Sequence, residues 1–140
     1  MEIRVAQTQQ DFFGLIHLRK DVFIREQNVD IDLEMDEEDR SALHLVALKN
    51  GRVIGTCRLV IHNDQAKLGR MAVAKDYRRQ AVGSKLLLYA EEKARCLGVK
   101  KLLIGAQLQA LAFYLRHAYK ITSELYYDAG IAHKMLEKEF

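Results

Sequence analysis

The sequence predicts a mixed α/β fold built on one largely antiparallel sheet, and three observations carry that prediction. Asn50-Gly51 separates the apolar runs "LHLVALK" and "RVIGTCRLVI", the signature of a two-residue hairpin. Apolar residues recur at helical spacing from Val82 to Leu97 and stop at Gly98, a favourable C-terminal stop. The run "LGRMAV", that helix and "KKLLIGA" together have the length of one right-handed parallel crossover. The expected order is β-α-β-β-β-α-β-α-β-β.

Taken in order, "EIRVA" alternates and reads as the first strand. Thr8 then offers a cap, with Asp11 placed three residues on as in a capping box. In "DFFGLIHLRKDVFI", residues Phe12, Leu15, Ile16, Arg19, Val22 and Phe23 share one helical face, so Arg19 stands among apolar neighbours. The acidic stretch "DIDLEMDEEDR" reads as a solvated connection. Its acids Asp30, Asp32, Glu34 and Asp36 have calcium-loop spacing, but Met35 occupies the glycine place and no glutamate closes the loop. After the hairpin, Asn63-Asp64 turns the chain into "AKLGRMAV". The long helix and the buried strand "KKLLIGA" follow, then a short helix in "QALAFYLRHA" and two C-terminal strands.

The 140 residues suit one domain, here 1–140, with no repeat, linker or low-complexity tract. At 49% hydrophobic and 29% charged residues, disorder is excluded. The formal charge of +3 would attract an anionic ligand without arguing for nucleic acid. No apolar run is long enough to cross a membrane. Cys57 and Cys96 belong to no metal-binding cluster and suit a reducing compartment, so a cytoplasmic location is expected. Cys96, late on the long helix, is expected to be buried. There is no proline at all, where average usage would give about seven.

The segment "DYRRQAVGSKLLLYAEEKARCLG" brings the chemistry. A helix start has main-chain N–H groups without partners and a positive dipole end, so it can hold phosphate oxygens. Gly83 has no side chain to keep a ligand away, Ser84 can donate a hydroxyl, and Arg78, Arg79 and Lys85 add charge. The alternative is a solvated, arginine-rich helix start. Neither a P-loop nor a dinucleotide fingerprint is present.

The stretch "RMAVAKDYRRQAVGSKLLLYAEEKA" resembles the cofactor motif of the GNAT-type N-acetyltransferases, whose loop follows Q/R-x-x-G-x-G/A. Arg78 and Gly83 match and Ala81 replaces the first glycine. "AQLQALAFYLRHAYKI" resembles the family's Phe-Tyr helix, and Ala118 replaces a usual glycine there. "LRKDVFIREQNVD" and "YYDAGIAH" resemble the bacterial ElaA/YjcF-like branch. The resemblance spans nearly the whole chain. It implies the GNAT-like acyl-CoA N-acyltransferase fold, acetyl-CoA as cosubstrate, no metal, and a small amine or peptide acceptor.

Residue by residue, the resemblance implies a cofactor wedge where "LGRMAV" and "KKLLIGA" splay apart. Met71, Ala72 and Val73 would run beside the pantetheine arm. Arg78, Arg79, Gln80, Ala81, Val82, Gly83 and Ser84 would cradle the pyrophosphate, with Phe113 and Tyr114 closing the site. Because Gly83 is retained, Ala81 is expected to start the helix with negative φ, at no steric cost. The Val73 N–H is the candidate to polarise the thioester oxygen. Tyr114 is the candidate to serve the departing sulfur, by a hydrogen bond or by relaying the amine's own proton. Glu26 is the candidate base; His44 is a lesser one, and His117 and His133 read as surface or structural residues. Arg19 would anchor an acidic group on the acceptor or, equally, form an ion pair with the acidic connection.

The reading is an acetyl-CoA-dependent N-acetyltransferase working by direct attack of an amine on the thioester. The alternatives are a non-catalytic acyl-CoA-binding or sensing domain and, further off, a nucleic-acid-binding basic helix, against which Glu91 and Glu92 argue. A C-terminal strand edge offers a route to a homodimer. No motif names the acceptor.

Overall fold

The computed structural model describes residues 1–140. Strand β1 (Glu2–Val5) leads into helix α1 (Gln9–Arg19), which continues as a wider, π-type coil from Lys20 to Glu26. Thr8 caps α1: its hydroxyl accepts from the Asp11 N–H, and the Asp11 carboxylate takes the Thr8 N–H in return. The Asp11 carboxylate also holds Arg4, so β1 and α1 are tied where they meet.

The acidic connection is not a solvated loop. It folds into two single-turn helices, α2 (Ile31–Glu34) and α3 (Glu38–Ser41), because its carboxylates face buried arginines. Then come β2 (Leu43–Lys49), β3 (Arg52–His62), β4 (Gln65–Val73), helix α4 (Val82–Cys96), β5 (Lys101–Gln107) and helix α5 (Leu111–Arg116). Three C-terminal strands, not two, complete the chain: β6 (Lys120–Ile121), β7 (Tyr126–Asp128) and β8 (Ile131–Glu139). The extra break arises because β6 and β7 are short and both pair with the long β8. Ala129 and Gly130, both left-handed at φ 52° and 76°, turn β7 into β8, as a two-residue hairpin requires.

The eight-stranded sheet runs β1-β2-β3-β4-β5-β8-β6, with β7 also on β8. All pairings are antiparallel except β4 with β5, the expected crossover around α4. Leu86, Leu87, Ala90 and Ala94 of α4 are fully buried against the sheet with Leu45, Leu59, Leu68, Leu102 and Leu136. Gly55 lets the helix seat closely: a Cβ there would lie 2.8 Å from Val82 and 2.9 Å from Leu86. Gly55 pairs with Val73, so the same close approach puts the start of α4 beside the end of β4. Of the two cysteines it is Cys57 that is buried, while Cys96 is exposed, on the outer side of α4. Burial pushes the Cys57 thiol up to about 12, which leaves it inert.

Candidate active site

Strands β4 and β5 pair only as far as Leu68 with Ile104, then separate while both continue, to Val73 and Gln107. The separation has a local cause. Between Gly69 and Ala72, β4 carries an extra residue relative to β3, a β-bulge, and Arg70 adopts φ 52° within it. Bulges bend a strand away from its neighbour. The left-handed Arg70 is held by its own side chain: Nε donates to the Glu34 carbonyl at 3.1 Å, and Nη2 to the Leu33 carbonyl and the Asp36 carboxylate, both at 3.2 Å. The wedge inferred from the resemblance is present, a cleft of about 550 Å³.

The main chain at Val73 faces this cleft. Ala74 N–H donates to Ile54 at 2.8 Å across β3–β4. Pairs alternate along an antiparallel ladder, so the neighbouring Gly55–Val73 pair exchanges no hydrogen bonds, and Val73 directs its N–H and C=O towards β5. Its carbonyl accepts Arg78 Nε at 3.0 Å. Arg78 Nη2 also donates to the Glu26 carboxylate at 2.9 Å. The structure thus brings together Arg78, the expected phosphate partner, and Glu26, the expected base, as a strap across one end of the cleft.

The loop before α4 differs from expectation at one residue. Ala81 has φ 64° and Arg79 φ 63°, so Ala81 does not start the helix with negative φ; it is the left-handed cap itself. An L-residue in that region is strained by roughly 1–2 kcal/mol. Alternation of left- and right-handed residues aims successive N–H groups at one point, the geometry of an anion-binding nest. No side chain caps α4, and no acid lies in its first turn. Lys85 is the first residue of α4 whose N–H has a main-chain acceptor, Ala81 at 3.0 Å, so the N–H groups of Val82, Gly83 and Ser84 are uncommitted. A Cβ on Gly83 would meet nothing closer than Phe113 at 3.5 Å. The fold therefore has no steric need for glycine there, and what the missing side chain leaves open is the approach to those N–H groups. The residues present fit a phosphate. Gln80 Nε2 donates to the Asp76 carbonyl at 3.2 Å, bracing the loop, and Ser84 Oγ lies 3.1 Å from His117 Nε2.

Phe113 and Tyr114 pack edge to face, 4.9 Å between centroids, beneath the start of α4. Tyr114 is only 5% exposed. Its hydroxyl has no partner in the chain, and the residue lines the cleft. Burial, with Cys57 nearby, raises its pKa above the ordinary tyrosine value, so it stays protonated and can donate. Behind it Tyr119 donates to Glu91 at 2.7 Å, and Lys138 reaches the same carboxylate at 3.0 Å. That buried cluster anchors α5 and β8 to α4.

Arg19 lies outside the cleft. It is 1% exposed, with Nε on Glu34 at 2.6 Å, Nη1 on Asp39 at 2.8 Å and Nη2 on the Glu34 carbonyl at 3.0 Å. Every donor edge is used inside the protein, which corrects the acceptor-anchoring reading in favour of the ion pair. Arg58 adds Asp36 at 2.7 Å and Asp39 at 2.9 Å. Hydrogen bonds from Arg58 hold Asp36 below the usual carboxylate range. Burial opposes ionisation of Asp39, but the Arg19 hydrogen bonds outweigh it and hold Asp39 low as well. His44 Nε2 is spent on the Asp39 carbonyl at 2.9 Å.

Two features of the cleft were not read from the sequence. Gln107 Nε2 donates to Gln27 at 2.8 Å, linking the end of β5 to the end of the π coil. His133, read as structural, also lines the cleft. Its signal was the turn "DAGI", which fixes the alternation of β8 and thereby the face His133 takes.

The profile of the acetyltransferase (GNAT) family matches residues 4–119. The chain is 31% identical over 140 residues to the uncharacterized N-acetyltransferase YjcF of Bacillus subtilis, covering 99% of this chain and 100% of that one. It is similar to the crystal structure of Escherichia coli ElaA, with TM-score 0.89, 23% identity, and 99% and 100% of the two chains covered. It is also similar to a GNAT acetyltransferase from Elizabethkingia anophelis with acetyl-CoA bound, with TM-score 0.73, 20% identity, and 99% and 97% covered. At those identities the two structures speak to the fold.

Proposed function

The chain belongs to the acetyltransferase (GNAT) family, and on that premise we propose that it is a single-domain, cytoplasmic N-acetyltransferase that uses acetyl-CoA to acetylate a primary amine. The observation that carries the reading is the outward-facing main chain of Val73 beside the uncapped start of α4, with Tyr114 lining the same cleft. Acetyl-CoA, when bound, supplies the activated acetyl thioester. Met71, Ala72 and Val73 flank its pantetheine arm. The N–H groups of Val82, Gly83 and Ser84, within the loop from Arg78, Arg79, Gln80 and Ala81, hold the pyrophosphate. The Val73 N–H polarises the acyl oxygen; it is fixed in place before reaction, which is where such donors gain their effect. Phe113 packs against the cradle. Tyr114, kept protonated by burial, donates a hydrogen bond to the leaving sulfur and relays a proton to it.

A non-catalytic acyl-CoA sensor would use the same cradle without Tyr114. Calorimetric titration of acetyl-CoA and CoA into wild type and Gly83→Glu tests the binding half. Micromolar binding by wild type, lost in a folded variant, supports the site; no binding by wild type overturns the reading. Turnover of amines by wild type then separates enzyme from sensor.

A further inference from the structure

We infer that His133 is the group that takes the proton from the incoming amine, an inference that rests on the acetyltransfer reading above. Lys138 on β8 reaches Glu91 of α4 at 3.0 Å, so the even-numbered residues of β8 face α4. Side chains alternate along a strand, and His133 and Met135 therefore face the opposite side of the sheet. Tyr126 lies there too, its hydroxyl 3.1 Å from the Met135 sulfur. This is the side away from the cradle, from which an acceptor can approach.

Along the sheet, His133 pairs with Gln107, three residues beyond Ile104, where the pairing of β5 with β4 ends. It is therefore level with Met71–Val73 across the cleft. The imidazole is fixed on two sides. It stacks on Tyr126, 5.7 Å between centroids and 26° between planes, and its Nδ1 lies 2.6 Å from the Ile131 carbonyl. A carbonyl only accepts, so Nδ1 carries the hydrogen, and in the neutral ring Nε2 is left as a bare acceptor. Nε2 has no partner in the chain, and His133 is the one histidine lining the cleft. Of the four lining carboxylates, Glu26, Glu34 and Glu38 are engaged with Arg78, Arg19 and Arg58, and the fourth is Asp128. On its face, His133 is flanked by Tyr126 and Asp128 of β7 and by the uncharged Gln107 of β5.

The alkylammonium gives one proton to Nε2 of His133, and the free amine attacks the acyl carbon. An N–C bond forms and the C–S bond breaks, its electron pair leaving on sulfur. The second proton passes from nitrogen to sulfur by way of Tyr114. The products are the amide and the CoA thiol, and His133 returns its proton to water.

The test uses His133→Asn, which keeps an N–H donor for the Ile131 carbonyl and removes Nε2. An alkylamine acetylated by wild type serves as acceptor, and calorimetric binding of acetyl-CoA serves as the control for folding. At neutral pH, kcat/KM should fall about 100-fold or more, in the range of general base catalysis. The wild-type advantage should shrink as pH approaches the amine's own pKa, about 10.4 for a lysine-like amine, because the amine then needs no help. A variant equal to wild type, or one impaired by the same factor at every pH, overturns the inference but leaves the enzyme reading intact. A wild type that binds acetyl-CoA yet acetylates no amine overturns both.

Discussion

On the wall of the cleft lined by Glu34, Arg58 and Arg70 and backed by Asp36 and Asp39, nearly every charged group has a partner inside the protein. On the wall built by residues 78–84 the uncommitted groups belong to the main chain, and the neighbouring positions 79 and 81 hold left-handed backbone. The first wall spends its chemistry on folding. The second leaves its chemistry for a ligand and accepts strain to do so. The contrast shows why a charge count misleads here: the buried arginines are structural, whereas the anion site is made mostly of N–H groups that no composition reveals.

The strongest consequence falls just behind the first wall, at Arg19. Arg19→Met removes the shared partner of Glu34 and Asp39 and leaves the buried Glu34 carboxylate without a hydrogen bond, while Asp39 keeps Arg58. Breaking a buried pair from one side typically costs about 3–5 kcal/mol, a large part of the roughly 5–15 kcal/mol available to a domain. Denaturant unfolding should show it, and adding Glu34→Met should return part of the loss. If Arg19→Met unfolds like wild type, the distinction between the walls fails. Gly83→Glu on the second wall should leave stability within about 0.5 kcal/mol, since its Cβ meets nothing closer than Phe113 at 3.5 Å.

Next comes Tyr114→Phe. Its ring packing survives while the unpartnered hydroxyl is lost. Turnover should fall about 100-fold, some 2.7 kcal/mol in the barrier, with acetyl-CoA affinity nearly unchanged. A matched loss of affinity would instead make Tyr114 part of the binding wall.

Acid should also distinguish the walls. Asp36 and Asp39 have native pKa values pulled below their unfolded values by Arg58 and Arg19. A depressed native value means that the stabilisation is complete above the unfolded carboxylate range, near pH 4, and is lost as pH falls from there towards the native value. Unfolding midpoints measured between about pH 6 and about pH 3 should fall accordingly. Without Arg19 the slope should be shallower.

Much of this was legible in the sequence, for identifiable reasons. The Asn50-Gly51 turn, the helical period ending at Gly98 and the Thr8–Asp11 capping box are local signals, and each element formed where it was expected. The loop motif and the Phe-Tyr pair led to the GNAT family, and "LRKDVFIREQNVD" to the branch of which YjcF is a relative. What stayed hidden depends on contacts between distant segments. The bulge at Arg70 is stabilised by carbonyls of residues 33 and 34. The acidic stretch folds only because arginines from α1, β3 and β4 converge on it. Which way the Val73 main chain points follows from the β3–β4 register, and nothing within "LGRMAV" fixes that register.

The smallest change in stability separates the loop before α4 from the rest of the fold. Ala81 has φ 64° at the cap of α4, where alanine is strained by roughly 1–2 kcal/mol, while glycine carries an added unfolded-state entropy of roughly 0.5–1 kcal/mol. Ala81→Gly should therefore stabilise by no more than about 1 kcal/mol, a rise of a few degrees in Tm. The same substitution at Ala118, φ 71°, should do likewise. The two part company in binding. Ala118 follows α5 and borders no cradle N–H, so Ala118→Gly should leave acetyl-CoA affinity unchanged. Ala81 sets the direction of the N–H groups at the start of α4, and relaxing it loosens that preorganisation. A stabilised Ala81→Gly that binds acetyl-CoA a few-fold more weakly would mean that the strain holds the nest in shape. A variant that gains stability and affinity together would mean that the alanine is a burden the fold merely tolerates.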